Sequence, residues 1–206
     1  MTPDSFLPGL FSLLLAYLLG AIPTGYLISR WVADLDIRDV GSGSTGATNV
    51  LRQVGKGPAL VVFLVDVAKG TTAVVLARSL QLGDEWQVLA GLAALAGHIW
   101  PVWLGWKGGK AVATGLGMLL GLSWPVGLAC FGVFVTVISF SRIVSLASVS
   151  AAISLPLLML WSFVGSSFRP AYLVLALIAM VLVVWRHRSN LKRLLAGSEP
   201  KLGQPR

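Results

Sequence analysis

Charge is scarce in this chain. Only 12% of its 206 residues are Asp, Glu, Lys or Arg, about half the fraction that a soluble domain carries. Hydrophobic residues make up 56%, and the mean hydropathy is +0.82. These proportions argue against a soluble globular domain and leave no room for one beside the apolar segments. We therefore predict one polytopic membrane domain over residues 1–206, in which residues 194–206 form a flexible cytoplasmic tail.

Cysteine, histidine and acidic residues are also rare. Cys130 is the single cysteine, which excludes an intrachain disulfide and a cysteine metal site. Two histidines and eight acidic residues offer no cluster suited to a catalytic metal. The sequence contains no Gly-x-Ser-x-Gly elbow and no His-x-x-x-x-Asp pattern. We predict no metal and no cofactor, and no nucleophile of the hydrolase type.

Seven apolar segments are candidates for membrane spans, since a helix needs about 20 residues to cross the hydrocarbon core. They are residues 7–29, 58–80, 86–103, 111–122, 124–140, 144–164 and 171–185. Residues 111–122 are too few to span unless the helix tilts or the bilayer thins, so a count of six also stays open. The sequence predicts an all-α integral membrane protein, a bundle of about seven transmembrane helices.

The basic residues fall almost entirely on one side of such a bundle. The other side receives only Arg78 and Arg169. The basic side receives Arg30, Arg38, Arg52, Lys56, Lys107, Lys110, Arg142, Arg186, Arg188, Lys192, Arg193, Lys201 and Arg206. The positive-inside rule then predicts an outside N-terminus and a cytoplasmic C-terminus. In so apolar a chain, the net charge of +8 favours membrane lipid or anionic substrates over nucleic acid as partners.

The first cytoplasmic loop, residues 41–52, reads GSGSTGATNVLR. Its three glycines and four hydroxyl residues within eight positions let the backbone turn sharply and expose consecutive N–H groups, a concavity that binds phosphate. Arg52 follows where a new helix could begin, and its planar fork suits phosphate oxygens. The loop is neither a Walker A motif nor a dinucleotide fingerprint. A flexible linker is the alternative interpretation.

A second motif covers residues 97–110. Lys107 and Lys110 flank two glycines just before a predicted helix, where the ammonium groups and the helix N-terminus favour an anion. The tryptophans around them fit an interfacial belt. A single histidine at the end of an apolar helix, such as His98, is more often a structural residue than a catalyst.

Two weaker signals lie on the same side. Arg142 stands among hydroxyl residues at 139–148, where it could equally be a topogenic charge. After the last span, His187 and Asn190 are three residues apart and so share a helical face. Together they could position a hydroxyl group, and interfacial solvation is the alternative.

Asp66 and Lys69 lie inside a predicted span, three residues apart. An intramembrane ionisable pair is expensive and often functional, but the two charges can also neutralise each other. With no other intramembrane charge expected nearby, we favour the structural interpretation.

These residues alone indicate a protein that handles anions at a membrane surface. It could be an enzyme of phospholipid metabolism or a transporter of phosphorylated solutes. A transporter predicts anion-binding groups near the midplane, whereas here the cations gather at one face. A headgroup-transfer enzyme would need acidic residues around a divalent metal, and the cytoplasmic loops offer only Asp34, Asp36 and Asp39 close together.

Five ordered motifs resemble the bacterial acyl-phosphate-dependent glycerol-3-phosphate acyltransferases, membrane enzymes that make lysophosphatidic acid. They occupy residues 41–52, 66–70, 97–117, 141–148 and 186–203. One position departs from the family pattern, since Ser44 stands where asparagine is usual, and a serine can still donate to phosphate. The resemblance implies an active site that opens to the cytoplasm and a location in the bacterial inner membrane.

The resemblance also implies roles for individual residues. Substrate and phosphate binding falls to Ser42, Gly43, Thr48, Asn49, Arg52, Lys107, Lys110, Arg142 and Ser145. The catalytic positions are Lys107, His187 and Asn190. Two phosphorylated substrates, acyl phosphate and glycerol 3-phosphate, must occupy the site together, which accounts for its cations. The sequence carries no indication of acyl-chain preference or oligomeric state.

The implied reaction transfers a fatty acyl group from acyl phosphate to the 1-hydroxyl of sn-glycerol 3-phosphate, the first acylation of phospholipid synthesis. Phosphate is a good leaving group, so no covalent acyl-enzyme is required. No carboxylate is suited to act as the base. We expect an oxygen of the acyl phosphate to accept the proton, with His187 as the alternative base.

Overall fold

A computed structural model describes residues 5–164 and 167–204 of the chain, and within these ranges it contains helices and no strand. The ten α-helices, in chain order α1 to α10, are Phe6–Ala21, Thr24–Ala33, Ala47–Gln53, Lys56–Ser79, Asp84–Ile99, Val112–Leu122, Trp124–Ser141, Val144–Trp161, Pro170–Arg186 and Arg188–Leu195. A short 3₁₀ turn, Val102–Leu104, follows α5. Arg206, for which the sequence predicts a cytoplasmic position, lies outside the described residues.

The long helices have the dimensions of membrane spans. Among the described residues, five stretches are long and apolar enough to cross a bilayer, and α9 and α10 together make a sixth that is bent by 59°. The five are Phe6–Ala33, Lys56–Ser79, Asp84–Leu104, Trp124–Ser141 and Val144–Trp161. Large apolar side chains such as Phe140, which is 88% exposed, would be unusual in water but suit a lipid surface. The all-α membrane fold is thereby confirmed, with α6 as an additional short apolar helix of 11 residues.

The chain forms two compact units, Met1–Leu122 and Ser123–Arg206. The composition, which is apolar throughout, does not mark this division, and the sequence analysis treats the chain as one domain. In the first unit, small residues let helices approach closely. A methyl group at Gly20 in α1 would overlap the carbonyl of Ala94 in α5, and one at Gly117 in α6 would overlap the carbonyl of Val67 in α4. Close packing between small residues is the usual way in which membrane helices associate.

The first predicted span is interrupted. The sequence predicts one helix over residues 7–29, but α1 ends at Ala21 and α2 begins at Thr24. Pro23 stands at the break, where its ring removes a backbone donor and disfavours a continuous helix. The carbonyl of Ile22 accepts hydrogen bonds from the Thr24 N–H at 2.9 Å and from Lys69 Nζ of α4 at 3.2 Å. An intramembrane cation therefore binds the backbone at the break.

In the second unit, α8 packs against α7 and α9. The segment after α10 is attached to this unit, which differs from the flexible tail predicted at 194–206. Glu199 is buried, at 7% exposed, and the N–H of Leu202 donates to the carbonyl of Arg142 at 2.7 Å. The prediction failed because one acidic residue among basic neighbours holds the segment in place.

Candidate active site

The glycine-rich loop of the first unit is organised by one amide side chain. Asn49, in the first turn of α3, accepts the N–H of Ser42 at its Oδ1, at 3.1 Å. Its Nδ2 donates to three backbone carbonyls at 3.0 to 3.1 Å, those of Ile37, Val40 and Ser44. Asn49 is only 2% exposed. It therefore ties the two ends of the loop together.

This arrangement corrects the role predicted for Asn49. The sequence analysis assigns it to substrate binding, but both N–H donors of its amide are directed at backbone carbonyls, and burial keeps the group away from solvent. It positions the loop and does not present a donor to a substrate. Spacing alone could not distinguish the two roles, because an asparagine beside glycines is equally typical of a structured turn.

The rest of the loop keeps more exposed groups. Ser42 and Gly43 are exposed, and Gly43 has a φ of +66°, a left-handed conformation that glycine adopts without strain. Thr48 and Arg52 are half-buried on α3. The sequence predicts that a helix could begin near Arg52, but α3 begins at Ala47 and Arg52 lies in its last turn.

An ion pair supports the entrance to this loop. Asp36 accepts hydrogen bonds from the Arg38 side chain, with Nη2 at 2.6 Å and Nε at 2.9 Å, and from the Arg38 backbone N–H at 3.0 Å. The hydrogen bond from Arg38 lowers the pKa of Asp36 from 3.8 to about 2. The guanidinium also lies over the ring of Tyr26, 5.0 Å from its centroid. Arg38 is thus engaged on two sides, by a carboxylate and by an aromatic ring.

The second motif is packed against the end of α5. Gly108 and Gly109 donate their N–H groups to the carbonyls of Ile99 and His98, both at 3.1 Å. A methyl group at Gly109 would overlap the His98 imidazole. The two glycines therefore permit close packing. Lys107 is exposed beside them.

Lys110 completes this motif, half-buried and two residues before α6. The two predicted lysines thus stand on either side of two glycines that are hydrogen-bonded to the end of α5.

The intramembrane pair predicted from the sequence, Asp66 and Lys69, has a third member, His98. Lys69 Nζ lies 2.8 Å from Asp66 Oδ1, and His98 Nδ1 lies 3.7 Å from the same oxygen. All three side chains are buried, at 6% exposed or less. The sequence analysis expects no further ionisable group near the pair. It misses His98 because the contact joins α4 to α5 over about 30 positions, which local spacing cannot reveal.

In the second unit, a buried carboxylate gathers the predicted residues. Glu199 Oε1 accepts hydrogen bonds from Ser145 Oγ at 2.7 Å and from Asn190 Nδ2 at 2.6 Å. Its Oε2 accepts one from Arg193 Nε at 2.7 Å. Burial alone would raise the pKa of Glu199, but the hydrogen bonds from Asn190, Ser145 and Arg193 outweigh it and lower the pKa below its usual value. The carboxylate is therefore ionised at neutral pH.

Sequence reasoning missed Glu199 altogether. A usable signal was present, since Glu199 is the only acidic residue in the basic stretch 186–206. An isolated acid among cations at a membrane surface is a reasonable candidate for a buried ion-pair partner. Its pairing with Ser145, 54 positions away, could not be read from the chain.

His187 stands at the bend between α9 and α10, where it is 3% exposed. Its Nδ1 lies 2.8 Å from the carbonyl oxygen of Val183. A carbonyl only accepts, so Nδ1 carries a hydrogen, and the acceptor of the neutral imidazole is at Nε2. Asn190 follows in the first turn of α10.

Arg142 ends α7 in a left-handed conformation, with a φ of +59°. Its carbonyl binds the C-terminal segment at Leu202, and its guanidinium lies against Gly203, where an added methyl group would come within 2.9 Å of Nη2. The predicted anion-binding arginine is thus also the place where the end of the chain is attached.

These observations define a class of protein: a membrane protein, helical throughout its described secondary structure, in which the glycine-rich loop (residues 41–52), the lysine-flanked turn (residues 107–110) and the buried His187 are each held by hydrogen bonds. Residues 10–197 match the family model described as glycerol-3-phosphate acyltransferase, and the chain belongs to this family. It is therefore a membrane acyltransferase of phospholipid biosynthesis, and the resemblance seen in the five motifs is confirmed.

Individual relatives agree with this assignment. The chain is 73% identical over 201 residues to the glycerol-3-phosphate acyltransferase of Prochlorococcus marinus (strain MIT 9313), covering 98% of each chain. It is 69% identical over 198 residues to that of Parasynechococcus marenigrum (strain WH8102), covering 96% of this chain and 92% of the relative.

The solved structures are similar over the same extent. PlsY (YgiH), an integral membrane glycerol 3-phosphate acyltransferase, matches in its glycerol 3-phosphate form with a TM-score of 0.87 and 40% identity, covering 95% of this chain and 96% of PlsY. Its lysophosphatidic acid form matches with a TM-score of 0.85 and 38% identity, with the same coverage.

Proposed function

We propose that this protein transfers a fatty acyl group from acyl phosphate to the 1-hydroxyl of sn-glycerol 3-phosphate, releasing lysophosphatidic acid and phosphate. The observation that carries the proposal is the 40% identity, over nearly the whole chain, to a structure of PlsY in its glycerol 3-phosphate form. The five motifs and the organised glycine-rich loop support it.

For the phosphate groups, we assign binding to Ser42, Gly43, Thr48 and Arg52 of the loop, and to Lys107 and Lys110 of the lysine-flanked turn. Backbone N–H groups in a glycine-rich turn and a planar guanidinium are well matched to phosphate oxygens. The lysines add compact positive charge. Asn49 holds the loop in the shape that makes these contacts available.

For the reacting groups, we assign roles to Ser145, His187 and Asn190, with Arg142 as a further cation. The Ser145 hydroxyl hydrogen points to Glu199, so toward a substrate this serine acts as an acceptor. His187 is held by Val183 with its acceptor nitrogen at Nε2. These constraints suit residues that orient a glycerol hydroxyl.

In the chemical step, the 1-hydroxyl oxygen attacks the acyl carbonyl carbon, and the bond from that carbon to the phosphate oxygen breaks. The hydroxyl proton passes to the departing phosphate. The protein then supplies position and charge stabilisation, which are large contributions in acyl transfer. No metal, cofactor or covalent acyl-enzyme takes part.

The distribution of basic residues favours a bacterial inner-membrane protein with its N-terminus outside and its active site facing the cytoplasm. Acyl phosphate and glycerol 3-phosphate would then both be drawn from the cytoplasmic side.

The test uses the purified protein in detergent with palmitoyl phosphate and glycerol 3-phosphate, and without metal, coenzyme A or carrier protein. We expect lysophosphatidic acid and phosphate in equal amounts. Palmitoyl-CoA in place of palmitoyl phosphate is the matched control and should give no product. Product from palmitoyl-CoA alone would overturn the donor assignment, and no product from either donor in a well-folded preparation would overturn the reaction.

A variant addresses the base. If the leaving phosphate accepts the proton, His187→Gln should reduce kcat by less than the roughly 10²–10⁴-fold that general acid–base catalysis contributes. A loss of that size or larger, with unchanged thermal stability, would favour His187 as the base.

A further inference from the structure

The buried trio of Asp66, Lys69 and His98 is not used by the proposed chemistry. Neither contact to Asp66 Oδ1 is aligned as a hydrogen bond, although Lys69 Nζ is 2.8 Å away. An ion pair in a membrane span loses more in desolvation than it gains in attraction unless its surroundings are well matched. Replacing a buried ion pair by an apolar pair of similar volume is often neutral or stabilising. The charges therefore call for an explanation other than stability.

One side of the trio reaches the glycine-rich loop. Lys69 donates to the carbonyl of Ile22 at the α1–α2 break. Immediately beyond that break, Gly25 is in such close contact with Thr45 that a methyl group on Gly25 would overlap the Thr45 carbonyl. Thr45 is a buried member of the loop, at 5% exposed. Asp66, Lys69, His98 and Thr45 line one small cavity together with the break.

The other side of the trio reaches the lysine-flanked turn. The His98 ring packs on the backbone of Gly109, and the His98 carbonyl accepts the Gly109 N–H at 3.1 Å. Pro101, which contacts Gly108, lines the same cavity. The two predicted phosphate-binding segments of the first unit thus rest on three side chains that hold one another.

We infer that Asp66, Lys69 and His98 are positioning residues that set the glycine-rich loop and the lysine-flanked turn in register for the two phosphorylated substrates. Lys69 fixes the α1–α2 break that supports Thr45, His98 fixes residues 108–110, and Asp66 joins the two. The inference rests on the proposed function, because it takes those segments to bind phosphate.

The experiment compares stability with substrate affinity in four proteins. Lys69→Met leaves Asp66 unpaired, and the double variant Asp66→Leu with Lys69→Met removes both charges and keeps the volume. Gln87→Met is the control, because Gln87 is a buried polar residue of the same unit that bonds Arg78 and the Leu82 carbonyl and contacts neither segment. The readouts are thermal stability, and KM and kcat with palmitoyl phosphate and glycerol 3-phosphate.

We expect Lys69→Met to lose stability and the double variant to recover most of it. Because the link to Ile22 is still missing, KM for glycerol 3-phosphate should remain raised in the double variant, with kcat/KM lowered on the order of 10²-fold. Gln87→Met should lose stability with an unchanged KM. A double variant with recovered stability and a normal KM would overturn the inference, since the pair would then be structural only.

A further variant covers the case in which Lys69→Met does not fold. His98→Gln keeps a polar side chain and removes the ring that supports Gly109, and we expect a raised KM for glycerol 3-phosphate at wild-type kcat. A normal KM would contradict the inference. An inactive wild-type protein under the same conditions would count against the proposed function, whereas an active wild type with unaffected variants would count against the positioning role alone.

Discussion

The two units organise their candidate residues by different means. In the first unit, the neutral amide of Asn49 holds a glycine-rich loop through backbone carbonyls and one backbone N–H. In the second unit, the charged carboxylate of Glu199 holds Ser145, Asn190 and Arg193. The first arrangement is held by an amide, which does not titrate, and the second depends on an ionised carboxylate whose pKa is lowered by its hydrogen bonds. Each unit thus positions its candidate residues through one hydrogen-bonded side chain, but only in the second unit does this depend on the charge of that side chain.

The difference follows from what each unit must hold. A loop that binds phosphate, as we propose for residues 41–52, is served by a neutral organiser, because a carboxylate in the place of the amide would repel the anion. A set of hydroxyl, amide and guanidinium donors is served by one acceptor with two oxygens. The predictions below test whether the two organisers are as different as their chemistry indicates.

Glu199→Ala should have the largest effect. Three donors would lose a buried charged acceptor, which costs about 3 kcal/mol of stability, and release of Ser145 and Asn190 should lower kcat/KM by on the order of 10²-fold or more. Thermal unfolding and the palmitoyl phosphate assay measure both. The control Glu85→Ala, at an exposed glutamate, should change neither. A fully active, stable Glu199→Ala protein would show that the carboxylate does not organise the second unit.

Asn49→Asp should come next. The substitution keeps the shape of the side chain but directs a carboxylate oxygen at three carbonyls, so the loop should open and kcat/KM should fall by about 10²-fold. Kinetics with both substrates, alongside thermal unfolding, provide the measurement.

The matched control for Asn49→Asp lies in the same loop. Ser44→Asn restores the usual residue of the family and keeps the Ser44 backbone carbonyl that Asn49 uses, so activity should stay within about twofold, since asparagine forms the same local turn contacts as serine. Equal losses in the two variants would mean that the loop tolerates no change, whatever its charge.

Arg52→Lys should have an intermediate effect. A lysine keeps the charge but loses the planar fork, so one charge-assisted hydrogen bond to phosphate disappears and kcat/KM should fall by about tenfold. The loss should appear in KM, with thermal stability unchanged. Near-normal activity would argue against phosphate binding by Arg52. The loop that Asn49 organises would then need another role.

The smallest effect concerns pH. Because folding lowers the pKa of Glu199 below 4.5, its contribution to stability is complete above that value and declines as the pH falls through the folded pKa. Thermal unfolding between pH 7 and pH 3.5 should show this decline in the wild type, and Glu199→Gln should be less stable at neutral pH but flatter toward acid. Parallel stability curves for the wild type and Glu199→Gln would show that ionisation of Glu199 does not stabilise the second unit.

Much of the fold could be predicted from composition and hydropathy. The apolar segments predicted the long helices, since a run of about 20 apolar residues has few alternatives to a membrane helix. The break between α1 and α2 was missed although Pro23 marks it in the sequence. The docking of the C-terminal segment was missed because it depends on a distant partner, Ser145 for Glu199.

The sequence indicated which residues belong to the candidate site, but it predicted their individual roles less well. Glycines at 108 and 109 suggested a phosphate-binding turn, but their packing on His98 requires knowledge of the neighbouring helix. Asn49 was assigned to substrate because an amide beside a glycine-rich loop can serve either purpose. A role depends on where a side chain's donors point, and that is decided by contacts far apart in the chain.

The attachment of the C-terminal segment bears on how the protein is made. Glu199 and Leu202 follow all the long helices in chain order, so the second unit receives its organising carboxylate only after those helices have been synthesised. A chain that stops before Glu199 could insert all its long helices and still lack the acceptor for Ser145 and Asn190. Such truncated products would therefore reach the membrane without an organised second unit.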